Sequence, residues 1–160
     1  MMNITVIALG KMKESYMRDF AAEYEKRLKA MCRLNIIEIA PFALPENPSQ
    51  KQIELALEDE AKRIRAKIPP QSEVYSLCIE GKQRSSEELA GEIKNVAVNG
   101  KSSITFIIGS SFGLSEEIKM SSDERISMSK MTFPHQMARI MLLEQIYRAF
   151  SIINGGKYHK

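Results

Sequence analysis

Residues 103–120 read SITFIIGSSFGLSEEIKM, and this stretch decides the architecture. Ser103 to Ile108 is a short β-branched and aromatic run of strand length. Gly109 to Gly113 is a loop with glycine at both ends, and Ser115 caps a short helix behind it. A strand that ends in glycine and hands over to a helix is half of a βαβ unit.

The same alternation extends outward in both directions. Upstream, Asn3–Leu9 reads as a buried strand. Met17, Phe20, Ala21, Tyr24 and Leu28 then mark one face of a helix. Leu34–Ile39 is a second strand, and Pro41 to Pro48 a proline-rich loop. Ser49 with Gln52 forms a capping box opening a helix with Ile53, Leu57, Ala61, Ile64 and Ile68 inward, stopped by Pro69-Pro70. Val74–Ile79 is the third strand. Ser85 with Glu88 caps a helix that buries Leu89, Ile93 and Val96 and ends at Asn99-Gly100. Downstream, Arg125–Ser129 is a weak fifth strand. A long helix runs from Pro134, read as its first residue, to Asn154. The expectation is one α/β domain over residues 1–160, a mostly parallel sheet with helices on both faces.

Composition narrows the classes. With 160 residues, 44% hydrophobic and 27% charged, the chain has the makings of one core and no disorder signature. No apolar run nears the roughly 20 residues of a membrane span, and no signal-peptide pattern is present. Cys32 and Cys78 are far apart, which fits two reduced core thiols in the cytoplasm. His135 and His159 are the only histidines, too few for a zinc site, so no metal is expected. The formal net charge of +3 is uneven. Residues 1–80 balance, while Arg125–Lys160 carries six Lys/Arg against the single acid Glu144. That excess points to a polyanion partner meeting one surface.

A parallel sheet also localises function, because ligands sit outside the carboxyl ends of its strands. Those ends are Gly10–Lys13, Gly81–Arg84, Gly109–Gly113 and Ser129–Thr132. Glycine at such a point lets backbone approach a ligand, and lysine there suits phosphate. The Walker, dinucleotide and nucleophile-elbow motifs are all missing. A protein without its own nucleophile or metal fits a reaction in which an activated cofactor supplies the driving force.

The segments FIIGSSFGLS (106–115), SMSKMTFPHQ (127–136), LEQIYRAF (143–150) and the terminal YHK (158–160) together resemble a known family. It is the bacterial large-subunit rRNA pseudouridine N3-methyltransferases, small members of the SPOUT class, and the likeness spans the whole chain. The resemblance implies a C-terminal trefoil knot, S-adenosyl-L-methionine as cofactor, and a homodimer. It also implies action on N3 of a pseudouridine in helix 69 of 23S rRNA within the ribosome. By matching positions, cofactor contacts fall on Leu77, Gly109 and the run Met128, Ser129, Lys130, Met131, Thr132 and Phe133. Gly109 would leave room for the ligand where a Cβ would intrude. Tyr158, His159 and Lys160 are the implied catalytic apparatus. His159 would accept a proton or orient the base, and Lys160 would fix a phosphate or carbonyl oxygen. His135 is assigned a structural or RNA-contacting part. One position departs from the family, which shows two adjacent glycines where this chain has Gly109-Ser110.

The last helix offers a separate argument for a dimer. Its apolar residues cover more than one face, with Ile146, Phe150 and Ile153 on one side and Leu143 and Tyr147 on another. A single sheet face buries only the first set, so a two-fold self-contact is expected to cover the second. The competing readings are a non-catalytic RNA-binding module of the same fold and a nucleotide-binding regulatory domain. Titration with S-adenosylmethionine and ATP separates them.

Overall fold

Five strands, β1 (Asn3–Leu9), β2 (Arg33–Ile39), β3 (Glu73–Gln83), β4 (Ser103–Ile108) and β5 (Glu124–Ser127), pair in the order β2-β1-β4-β3-β5, every neighbour parallel. The computed structural model describes residues 1–160. Helices α1 (Ser15–Leu28), α2 (Gln50–Arg65), α3 (Ser86–Val98), α4 (Glu116–Ser121) and α5 (His135–Ile153) alternate with the strands. Both capping boxes form as read, Ser49 with Gln52 and Ser85 with Glu88, and Ser115 accepts from the Ile118 amide. No helix is long and apolar enough to cross a membrane.

Strand alternation sorts the core into two layers. Ile4, Val6, Ile104, Phe106 and Ile108 face a cluster built with α1, α3 and α5. Ile7, Leu9 and Ile107 face the opposite way, into a smaller cluster with Ala61, Ile64 and Ile118 of α2 and α4. That assignment corrects the dimer argument drawn from α5. The helix packs against both α1 and α3 as well as the sheet, so Leu143 is fully buried within one chain. Tyr147, half-buried, rests on Tyr24 of α1 and on Tyr158. Two flanking helices supply the covering layer that a lone sheet face lacks, and the helix pattern by itself therefore requires no second copy.

Several boundaries move for identifiable reasons. Pro134 is the N-cap and not the first helical residue: its ψ of 142° is extended, while its carbonyl accepts from Ala138. β5 ends at Ser127, two residues early. Phe20, placed on the buried face of α1, is 54% exposed. β3 is longer than read, because Leu77 and Lys82 both pair with Ile126 of β5 and the segment between them bulges out of the ladder. Gly81 makes the return possible, since a Cβ there would come within 2.8 Å of the Ile126 backbone.

The basic C-terminal stretch does not form one free surface. Arg139 is buried, donating to Glu38 at 2.8 Å and to the Gly10 carbonyl at 2.8 Å. Arg148 donates to Glu144 at 2.6 Å. The exposed remainder is Arg125, Lys130, Lys157 and Lys160. Two of the six cations are spent on holding α5 and the chain end in place.

Candidate active site

The carboxyl ends of β3, β4 and β5 open into a cavity of about 850 Å³, within the roughly 300–1,000 Å³ typical of small-molecule sites. Each strand feeds it a wall. The β3 bulge contributes Leu77, Cys78, Ile79 and Glu80. The β4 exit contributes Ile108 through Leu114, and the chain leaving β5 contributes Ser127–Ser129 and Met131–His135. Seven of the eight residues assigned to cofactor therefore converge there: Leu77, Gly109, Met128, Ser129, Met131, Thr132 and Phe133. Lys130, exposed, does not line it.

Two of the four strand-end loops do not meet at the cavity, and Gly10–Lys13 contributes no residue to its lining. Gly81–Arg84 turns away, and Arg84 is buried elsewhere, donating to Glu92 at 2.9 Å and Glu124 at 2.5 Å. The lysine that lines the cavity is Lys119, on α4, whose ammonium pairs with Glu80. Sequence patterning missed it because α4 shows no chemistry-bearing spacing. Cys78, taken as a core residue, is a half-buried wall of the cavity. No group of three His, Cys, Asp or Glu side chains converges as a metal site anywhere in the chain.

Gly109 matters for a different reason from the one its sequence position suggests. A Cβ there would lie 2.5 Å from the Gly113 carbonyl carbon. The glycine lets the loop close on itself, with the Gly113 amide donating to Ser110 O at 2.9 Å, and only through that closure shapes the cavity wall. Ser110, where the family has a second glycine, also has a structural partner. Its hydroxyl donates to Glu60 Oε1 at 3.0 Å, and Phe42 N–H donates to Glu60 Oε2 at 2.8 Å. Glu60 is 4% exposed, so both of its oxygens depend on these donors. The hydroxyl thus ties the β4 exit loop to α2 and to the proline-rich segment.

His135 stands at the cavity edge, half-buried, with its Cε1 2.6 Å from where a Cβ on Gly10 would sit. Gly10 has a φ of +132°, so glycine is required there on both counts. Burial, then Arg139 and Lys13, hold the His135 imidazole below its ordinary pKa. It is neutral at pH 7. The unfolded chain takes up this proton first, so His135 adds acid sensitivity: stability is complete above the ordinary imidazole value, about 6.5, and declines as pH falls below it. An NMR titration should give the His135 ring a midpoint below that value, and a midpoint above it overturns the assignment.

The chain end lies elsewhere. None of Tyr158, His159 and Lys160 lines the cavity. Tyr158 packs edge-on against Tyr147, with ring centroids 4.8 Å apart, under the Arg148 guanidinium, and donates to Glu144 at 3.0 Å. Burial, with hydrogen bonding to Tyr24 and Glu144, pushes its phenol up to about 12. His159 Nε2 is 2.7 Å from Glu87 Oε1, and its Nδ1 is 3.1 Å from Arg148. Arg148 only donates, so Nδ1 accepts and Nε2 carries the proton. Both ring nitrogens are engaged in this arrangement.

The family model described as predicted SPOUT methyltransferase matches residues 2–159. Three curated proteins align over 159 residues, 99% of this chain and the whole of each relative. Ribosomal RNA large subunit methyltransferase H of Bacillus pumilus is 46% identical, and that of Clostridioides difficile 50%. The putative ribosomal RNA large subunit methyltransferase H of Methanococcus maripaludis is 52% identical. Among solved structures, a probable methylase family protein from Haemophilus influenzae superposes with a TM-score of 0.52 at 17% identity. It covers 99% of this chain and 70% of that one, a likeness of fold alone.

Proposed function

The chain belongs to the SPOUT methyltransferase family, and from that premise we propose that it methylates large-subunit ribosomal RNA with S-adenosylmethionine as donor. The acceptor in this reading is N3 of a pseudouridine in helix 69 of 23S rRNA, met in the assembled ribosome in the cytoplasm. The observation that carries it is the convergence of Leu77, Gly109, Met128, Ser129, Met131, Thr132 and Phe133 on one cavity at the strand ends.

The residues present fit the cofactor. Apolar walls from Leu77, Met131 and Phe133 suit an adenine ring, and the loop closed by Gly109 forms a cradle that a Cβ would distort. When bound, S-adenosylmethionine supplies a methyl group made electrophilic by its sulfonium. The protein's part is to hold and orient, and to exclude water with the buried floor of Ile108 and Leu114. The trefoil knot belongs to this reading, with residues 128–133 as its cofactor-holding strap.

The tail completes the site in trans. Tyr158–Lys160 docks away from its own cavity, so in this reading it acts in a homodimer by reaching the partner's. Tyr16 and Phe20 on α1 and Met137 on α5 remain exposed, apolar side chains available to a second copy. A non-catalytic RNA-binding module has no use for an open cavity of this size, and no unpaired charged side chain fills it.

The test is direct. Purified protein, ribosomes lacking the modification and S-adenosylmethionine should yield 3-methylpseudouridine in helix 69 by mass spectrometry. Ribosome association should weaken steeply with salt as phosphate contacts release counterions. Methylation at another nucleotide, or none, overturns the acceptor.

A further inference from the structure

We propose that Phe112 is the stacking platform on which the acceptor base is received at the mouth of the cavity, an inference that rests on the RNA methyltransferase reading above. A half-exposed aromatic ring is presented there by a doubly fastened turn at the open rim of the cofactor cavity.

The fastening comes first. Ser110 and Gly113 form an isolated antiparallel bridge, closing a four-residue turn with Ser111 and Phe112 at its centre. Behind the turn, Ser110 is held by the buried Glu60 carboxylate. Ahead of it, Leu114 is 4% exposed and anchored in the α2–α4 core layer. A turn fixed at both ends would be expected to tuck a phenylalanine inward or carry a polar residue at its tip. Here the ring is left 47% exposed.

The surroundings say what meets it. Ile79 from the β3 bulge and Met131 from the β5 exit are also exposed at the same cavity, 48% and 74%. Met131 belongs to the run assigned to cofactor, so Phe112 and Ile79 are the large exposed apolar side chains left at the mouth. The charged groups lining the cavity are Glu80 and Lys119, which pair with each other, and His135 is neutral. An apolar rim without unpaired charge does not suit a phosphate. It suits a flat, uncharged face, and a nucleobase turned out of its stack has such a face. Phe112 and Phe133 are the two phenyl rings lining the cavity, and the third ring, the His135 imidazole, is half-buried against Gly10. Phe133 lies within the 128–133 run assigned to cofactor, which leaves Phe112 for the second planar group. A pre-positioned ring receives a base with little ordering cost, the usual advantage of rigid aromatic platforms.

The test compares Phe112→Ala, Phe112→Leu and Phe112→Trp on ribosomes, with S-adenosylmethionine affinity measured separately by calorimetry. The exposed position should leave all three folded. Ala and Leu should lower kcat/KM for ribosomes about tenfold or more, the scale of a lost base stack, through a higher KM. Trp should restore it, and cofactor affinity should stay within twofold of wild type throughout. Leu matching wild type would show that apolar bulk alone is needed and overturn stacking. Cofactor affinity falling in step with kcat/KM would give the ring to the adenine and also overturn it. Either result leaves the acceptor assignment standing. Wild-type protein that methylates no ribosomal pseudouridine would instead remove that assignment, and stacking with it.

Discussion

Gly109→Ala should lower S-adenosylmethionine affinity about a hundredfold, or ~3 kcal/mol, in calorimetry. The added methyl is small, but it meets backbone: a Cβ would sit 2.5 Å from the Gly113 carbonyl carbon. Backbone at both sides cannot rotate aside, so the turn from Ser110 to Gly113 must open, and the cavity wall it forms moves with it. The damage should stay local, because Leu114 and Ile118 beyond the loop remain locked in the α2–α4 layer. The substituted protein should therefore fold, with a melting temperature lowered by an amount corresponding to about 1–3 kcal/mol, the ordinary cost of overpacking. That second measurement discriminates between two reasons for the glycine. If the methyl intruded only on the ligand, the cofactor-free protein would melt as wild type does. Wild-type affinity would remove this loop from the cofactor site altogether.

Deleting Tyr158–Lys160 should reduce methylation of ribosomes by roughly a hundredfold or more, the scale on which positioning and proton-transfer groups act, while cofactor affinity stays within twofold. The asymmetry follows from placement. None of the three residues lines the cavity of its own chain, so the walls assigned to the cofactor stay in place. What the deletion does remove is the Tyr158 ring over Tyr147 and its hydroxyl bond to Glu144, and the His159 bridge between Arg148 and Glu87. The pairs left behind are partly exposed and rehydrate, so stability should fall only slightly. Mixing the truncated chain with a cofactor-binding-defective full-length chain should restore turnover if the tail serves a partner's cavity. Unchanged turnover in the truncated protein ends its catalytic candidacy.

The strand and helix order was legible in the residues because each element announces itself locally. Asn3–Leu9 and Ser103–Ile108 are β-branched runs bounded by turn residues, and their limits match the strands. The two capping boxes and the Ser115 cap match because a side chain bonding an amide three residues on is a local event. Likeness to a family singled out seven residues that the structure brings to one cavity, and it also singled out Lys130 and Tyr158–Lys160, which do not line it. Spacing alone pointed to four strand-end loops, and two of them, Gly10–Lys13 and Gly81–Arg84, do not line the cavity.

What the sequence determined by itself is thus everything whose cause lies within a few residues: strand runs, helix faces, caps, and a parallel α/β sheet. The tertiary structure decided whatever depends on partners distant in the chain. Lys119 reaches the cavity because α4 packs beside the β3 bulge, and that bulge exists because Leu77 and Lys82 both pair with Ile126. Leu143 is covered within one chain because α1 and α3, far away in sequence, close around α5. Arg139, which a charge count assigns to an open surface, is drawn into an ion pair by Glu38, 101 residues away in the chain. Gly109 is needed because the chain four residues on folds back against it. Periodicity records which face of an element is apolar; only packing states what that face meets.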